Sequence, residues 1–265
     1  MTRVSIVIPA RHASSRFPGK PLQPLRGAGG KAKPLIRRSW EAAMQVRGAT
    51  EVVVATDDAR IAEAARGFGA RVAMTPADCR NGTERCAAAL GQLAAPDIVV
   101  NLQGDAPLTP PWFVEALIAA MLRSGAEAAT PVLRCDAAAH RSFLEDRMAG
   151  RVGGTTAVFD RAMNALYFSK QVIPWTGRSF APDERIPVFH HVGCYAYTPD
   201  ALRRYAAWPE GELERCEGLE QLRFLENGAR MLCVEVESRG RVFWELNNPA
   251  DVERVERALA QAGIE

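Results

Sequence analysis

The sequence predicts an α/β fold, a mostly parallel sheet covered by helices on both faces and interrupted by an inserted antiparallel element. Three observations carry that reading. Short apolar runs alternate with helical patterns over roughly the first half of the chain. The runs are nearly continuous in β-branched and apolar residues, as strands buried on both faces are. The alternation breaks after Cys135 and resumes near His190.

Residues 4–8 read as the first buried strand. Leu35, Ile36, Trp40, Ala43 and Met44 recur at helical spacing. Residues 51–56 (EVVVAT) form a second strand, and Asp58 caps the helix that runs on through Phe68. A short strand near 71–74 precedes a helix over 84–93 and an apolar strand over 98–102. A helix over 111–123 leads to a strand near 128–133. Residues 151–160, rich in glycine and β-branched side chains, and 165–173, followed by Pro174, read as the inserted element. The insertion spans about 136–188 within a single domain, 1–265. A return strand fits 190–198, helices fit 199–206 and 219–227, and a strand at 231–236 precedes a closing helix over 249–261. Residues 27–31 are a low-complexity patch too short to link domains.

The chain has 265 residues, enough to bury a large core in one domain. Hydrophobic residues make up 48% and charged residues 24%, with a net charge of +2. That near balance leaves no broad electrostatic footprint for nucleic acid, so positive charge must act locally. No apolar run approaches the roughly 20 residues that span a bilayer, and no signal pattern opens the chain, so a cytoplasmic site without membrane partners is expected. The six cysteines form no CxxC pair and read as free thiols.

The first strand runs into PARHASSRFPGK, residues 9–20. Arg11, Arg16 and Lys20 put three fixed positive charges into this loop, with Ser14, Ser15 and Gly19 between them. A triphosphate needs charge neutralisation and close approach of backbone N–H groups, and the segment supplies both. Its place after the first strand of an open α/β sheet is where ligands bind. The loop is neither GxxxxGK[ST] nor GxGxxG, which weighs against P-loop kinases and dinucleotide enzymes. Asp105 is a lone carboxylate just past the buried run IVVNLQGD. A hard cation shared with phosphates suits such a position.

Residues 9–22 resemble the signature loop of the 3-deoxy-manno-octulosonate cytidylyltransferases, the CMP-sugar-acid synthetases. The resemblance extends to NGTER (81–85), NLQGD (101–105), YFSKQVIPW (167–175), HVGCYAY (191–197) and LEQLR (219–223). It implies a Rossmann-like domain with a dimerising insertion, hence a homodimer, with CTP as nucleotide donor and Mg²⁺ as cofactor. The CTP contacts implied are Ala10, Arg11, Ser14, Arg16, Lys20, Asn81, Arg85 and Gln103. The implied acceptor contacts are Gln103, Lys170, His191, Tyr195, Glu220 and Gln221, and the implied metal positions are Asp105 and Asn247. Arg11, Arg16, Lys20 and Asp105 are the expected catalytic residues.

The chain departs from the family pattern at four places. Asn247 stands where the family's second metal-ligating Asp is expected, and Ala106 where a Glu follows the first. GGTT (153–156) replaces an Asn-x-x-Lys, and Lys170 replaces an Arg, losing bidentate carboxylate binding. Fewer carboxylates suit an acceptor that is already anionic. The expectation is therefore CMP transfer to an octulosonate-type sugar acid, with two alternatives: transfer to a phosphonate, or a CTP-binding protein that has lost turnover.

Overall fold

The computed structural model describes residues 2–13, 17–152, 154–241, 245–246 and 248–265. In chain order the first elements are β1 (Val4–Ala10), β2 (Pro24–Arg26), β3 (Ala32–Pro34), α1 (Leu35–Ala43), β4 (Glu51–Thr56), α2 (Ala59–Gly67) and β5 (Arg71–Met74). Then come α3 (Gly82–Ala89), β6 (Ile98–Leu102), α4 (Pro111–Ser124), β7 (Ala128–Arg134), α5 (Ala137–Met148), β8 (Thr155–Phe159) and β9 (Ala165–Ser169). The last are β10 (Phe189–His191), β11 (Cys194–Tyr197), α6 (Pro199–Ala207), α7 (Glu212–Glu217), α8 (Leu222–Glu226), β12 (Leu232–Val236) and α9 (Val252–Gln261).

The main sheet runs β5-β4-β1-β6-β11-β7-β10-β8-β9, with β12 beside β7. Strands β5, β4, β1 and β6 are parallel, and β12 is parallel to β7. The pairings of β11, β10, β8 and β9 are antiparallel. The sheet is thus mixed, with its parallel half where the strand–helix alternation is clearest. The expected return strand is split: β10 and β11 lie end to end along β7, and Val192–Gly193 separates them.

Every residue of β1 is buried. Ile6 and Ile8 face one apolar layer with Ile36 of α1, Ile61 of α2 and Phe113 of α4. Val7 faces the other, with Cys86 of α3, Tyr205 of α6 and Phe224 of α8. Helices therefore cover both faces, as the near-continuous apolar runs require.

Three features differ from the sequence reading. Residues 27–31 are the turn of the small β2–β3 hairpin, packed by Leu25 against Val255 and Leu259 of α9. The insertion opens with α5, capped by Asp136 accepting from the Ala139 N–H at 2.7 Å. Its buried face is Ala137, His140 and Phe143, too small and polar to show as apolar periodicity. The return strand is broken, as described above.

From β1 the chain steps outward through β4 to β5, then crosses back to β6 on the other side of β1. The order reverses between β1 and β6. In open α/β sheets the crevice outside the carboxyl ends of such strands is the ligand site. The two segments brought there are residues 9–11 and 103–105.

Candidate active site

A cleft opens at that reversal, lined by Pro9, Ala10, Arg11 and Lys20 from one side and by Gln103, Gly104 and Asp105 from the other. Asn81, Gly82 and Arg85, at the start of α3, close its third side. Gly104 packs so tightly that a Cβ there would lie 2.7 Å from the Pro9 carbonyl oxygen. Only glycine lets the two strand ends meet this closely.

Lys20 Nζ donates to Asp105 Oδ2 at 2.5 Å, tying the basic loop to the end of β6. The loop is further held by Gly19, whose N–H donates to the His12 carbonyl at 3.0 Å. Arg11 reaches the Arg80 carbonyl at 3.3 Å and is otherwise exposed. Ser14 and Arg16, expected in the same loop, lie outside the described residues, as does Asn247.

Arg85 is buried, with its guanidinium on Thr75 Oγ1 at 2.6 Å and Asp57 Oδ1 at 3.1 Å. Thr75 and Asp57 were not legible as partners in the sequence. Asn81 caps α3, accepting from the Glu84 N–H at 2.9 Å and donating to the Tyr205 hydroxyl at 2.8 Å. Its side chain is committed to the helix start, a role the residue type at that position fits.

Of the expected acceptor residues, Gln103 lines this cleft and Glu220 is hydrogen-bonded to Gln103. Gln103 Nε2 donates to Glu220 Oε1 at 3.0 Å, and the Thr83 N–H donates to Glu220 Oε2 at 2.8 Å. Tyr195 donates to Gln221 Oε1 at 3.1 Å, and the His191 and Tyr195 ring centroids are 5.6 Å apart. His191 meets Thr130 Oγ1 at 3.0 Å through Nε2 and Thr155 Oγ1 at 3.1 Å through Nδ1. Lys170 lies on the flank, its Nζ 3.0 Å from where a Cβ on Gly218 would stand. Thr156, one of the departures, is tied to the chain itself: its hydroxyl donates to Gln171 O at 2.7 Å and accepts from the Ile173 N–H at 3.1 Å.

Burial sets the electrostatics of this wall. It pushes the Glu220 carboxyl above its ordinary range, although Thr83 and Gln103 partly oppose it by hydrogen bonding to the carboxylate. Burial, helped by neighbouring His190, pulls the His191 imidazole down to about 3, so the ring is neutral. Burial also raises the Tyr195 phenol, which stays protonated as a donor.

A buried ion network fixes the segment carrying Glu220 and Gln221. Arg223, fully buried, donates to Glu214 at 2.6 and 2.7 Å and to Glu84 at 2.9 Å. Its guanidinium lies 4.2 Å from the Tyr205 ring centroid, and the Tyr205 hydroxyl donates to the Glu220 carbonyl at 3.1 Å. Glu214 and Tyr205 carried no sequence signal of this role: a Glu nine positions before an Arg reads as surface charge.

Among the described residues no group of three or more His, Cys, Asp or Glu side chains converges to hold a metal. Asp105 offers one carboxylate, a quarter exposed, at the cleft. That donor set fits a hard cation drawing the rest of its shell from phosphates and water.

A cytidylyltransferase family model matches residues 5–235. The chain is 43% identical to the 3-deoxy-manno-octulosonate cytidylyltransferase of Maricaulis maris, over 98% of each chain. It is 40% identical to the 8-amino-3,8-dideoxy-manno-octulosonate cytidylyltransferase of a Shewanella species, over 97% of this chain and 98% of that one. Among solved structures it is similar to a CMP:2-keto-3-deoxy-manno-octonic acid synthetase complexed with CTP. That likeness has a TM-score of 0.82 and 36% identity, and covers 98% of this chain and all of the other. With its strand-order reversal, basic loop and β6 carboxylate in one cleft, the chain belongs to the cytidylyltransferase family of nucleotidyltransferases.

Proposed function

We propose that this enzyme transfers CMP from CTP to a sugar acid of the 3-deoxy-manno-octulosonate type and releases pyrophosphate. The observation that carries the reading is one cleft with two unlike walls. The Lys20–Asp105 pair stands at the β1–β6 reversal, and the polar wall of Gln103 and Glu220 stands beside it.

Transfer requires in-line attack on the α-phosphorus with pyrophosphate leaving. Arg11, Arg16 and Lys20 neutralise the triphosphate, and Ala10 and Ser14 are further contacts to it. Arg85 and Asn81, the latter holding the start of α3, are the nucleotide contacts on this side, and the N–H groups of that helix start favour phosphate charge. Asp105 would hold Mg²⁺, and Asn247, by its residue type, could add an uncharged amide oxygen as a second ligand. Bound Mg²⁺ would supply charge neutralisation at the phosphates. Gln103, His191, Tyr195, Glu220 and Gln221 orient the polyhydroxylated acid by directional hydrogen bonds, and Lys170 supplies a nearby positive charge for its carboxylate.

A phosphonate dianion is the weaker fit, because Glu220 stands on the acceptor wall and the Thr156 hydroxyl is spent on the backbone of Gln171 and Ile173. Loss of turnover fits poorly with a cleft that retains both Lys20 and Asp105.

The working form is a homodimer joined through the insertion. β9 ends the sheet order, and Leu166 on it, with Met148 and Trp175, is exposed at 62%, 81% and 89%. Natural sheets seldom leave such an edge uncovered. The site of action is the cytoplasm, in keeping with six free cysteines. No described helix is long and apolar enough to cross a membrane.

The test is an acceptor screen with CTP and Mg²⁺ that reads pyrophosphate release from octulosonates, sialic-type acids and small phosphonates. Acceptor-dependent release is expected with the octulosonates. Release with phosphonates alone would refute the reading.

A further inference from the structure

We infer that Asn101 is a further acceptor-binding residue: its side-chain amide, beside Gln103, forms a buried polar floor that takes one hydroxyl of the acceptor. The inference rests on the acceptor reading above and deepens it.

Asn101 lies on β6 two residues before Gln103, so both side chains leave the same face of the strand. Across the antiparallel pair it stands opposite Tyr195 of β11. It is completely buried, and among the described residues it is the one whose side-chain oxygen and nitrogen both lack a hydrogen-bond partner. Gln221, also buried, accepts from Tyr195 through Oε1, while its Nε2 has no partner.

Asn101 and Gln103 meet at the missing side chain of Gly82, which lines the cleft. A Cβ there would lie 3.0 Å from Asn101 Nδ2 and 2.9 Å from Gln103 Nε2. The buried Asn101 amide therefore lies next to Gln103 and Gly82, both of which line the cleft. Unpaired buried polar atoms are costly, so a native fold rarely keeps a buried amide with both atoms unmet without a use. The unmet set at Asn101 is one donor, Nδ2, and one acceptor, Oδ1. A hydroxyl, which both donates and accepts, answers that set. A carboxylate cannot satisfy Oδ1, and an ammonium cannot accept from Nδ2.

The test uses the full-length enzyme with Asn101→Leu and Asn101→Ala. The acceptors are 3-deoxy-manno-octulosonate and analogues each lacking one hydroxyl. With the parent acid, KM for the acceptor is expected to rise about 10- to 100-fold while KM for CTP stays unchanged. The Leu variant should melt no lower than the parent enzyme, because it removes orphaned polar atoms from a buried site. One deoxy analogue should be used equally well by the parent enzyme and the variants, since the lost pair is the same. An unchanged acceptor KM would overturn the inference, as would a rise of equal size with every analogue, which is the behaviour of a floor that only holds water. Failure of the unmutated enzyme to use any octulosonate would instead refute the acceptor reading itself.

Discussion

Lys20 Nζ and Asp105 Oδ2 are 2.5 Å apart, although 85 positions separate the two residues in the chain. The contact joins the loop after β1 to the end of β6 where the strand order reverses. A cation and a carboxylate are thus held at the one place where a triphosphate can meet both, the cation for phosphate oxygens and the carboxylate for a metal bound to them.

Asp105→Asn should leave the fold intact and lower kcat by about 10²–10³-fold, the scale of losing one preorganised electrostatic group. CTP should still bind. Lys20→Met should instead weaken CTP by about tenfold or more, the loss of one charge-assisted contact. Calorimetric CTP titration and steady-state kinetics on both variants separate the two roles.

Gly104→Ala should impair CTP binding and stability together. Its Cβ would press on the Pro9 carbonyl at 2.7 Å, a backbone atom that cannot swing aside. Overpacking of this kind costs about 1–3 kcal/mol. Urea unfolding and CTP affinity should both shift, whereas Gly30→Ala meets no nearby atom and tests only its positive φ of 80°.

Arg223→Met should destabilise by about 3–5 kcal/mol, because it leaves Glu214 buried without its charge partner. The segment bearing Glu220 and Gln221 should loosen, so acceptor KM should rise more than CTP KM. Chemical denaturation and two-substrate kinetics measure the two effects.

Stability should fall as pH drops below about 6.5. His191 is held neutral with its pKa lowered to about 3, and His190 likewise to about 4. Between the unfolded and folded values only the unfolded chain takes up the proton, so stability is full above about 6.5 and lost as pH falls toward the folded values. Each histidine accounts for about 2 kcal/mol lost by pH 5. His191→Asn should flatten the slope of melting temperature between pH 7 and 5 relative to the parent enzyme.

What the sequence disclosed follows from how each element is stabilised. The strands β1, β4 and β6 are buried on both faces, so their apolar runs are unmistakable, and with them the positions of residues 9–20 and Asp105. Asp58 announced α2 because a cap is a local device. The helix α5 stayed hidden because Ala137, His140 and Phe143 make its buried face. The β2–β3 hairpin stayed hidden because three-residue strands have no period to read. In the site, Arg11, Lys20 and Asp105 were visible through local charge and position. Arg223, Glu214 and Asn101 were not, because their importance lies in burial and long-range pairing, which no spacing encodes.

The central claim is tested most directly by incubating the enzyme with α-³²P-labelled CTP, Mg²⁺ and 3-deoxy-manno-octulosonate and following the label. Label should move into a CMP–sugar acid with one pyrophosphate released per acid consumed, and Asp105→Asn should slow the transfer by about 10²–10³-fold. Pyrophosphate release that ignores the acid, or label that passes to a phosphonate and never to the octulosonate, would contradict it.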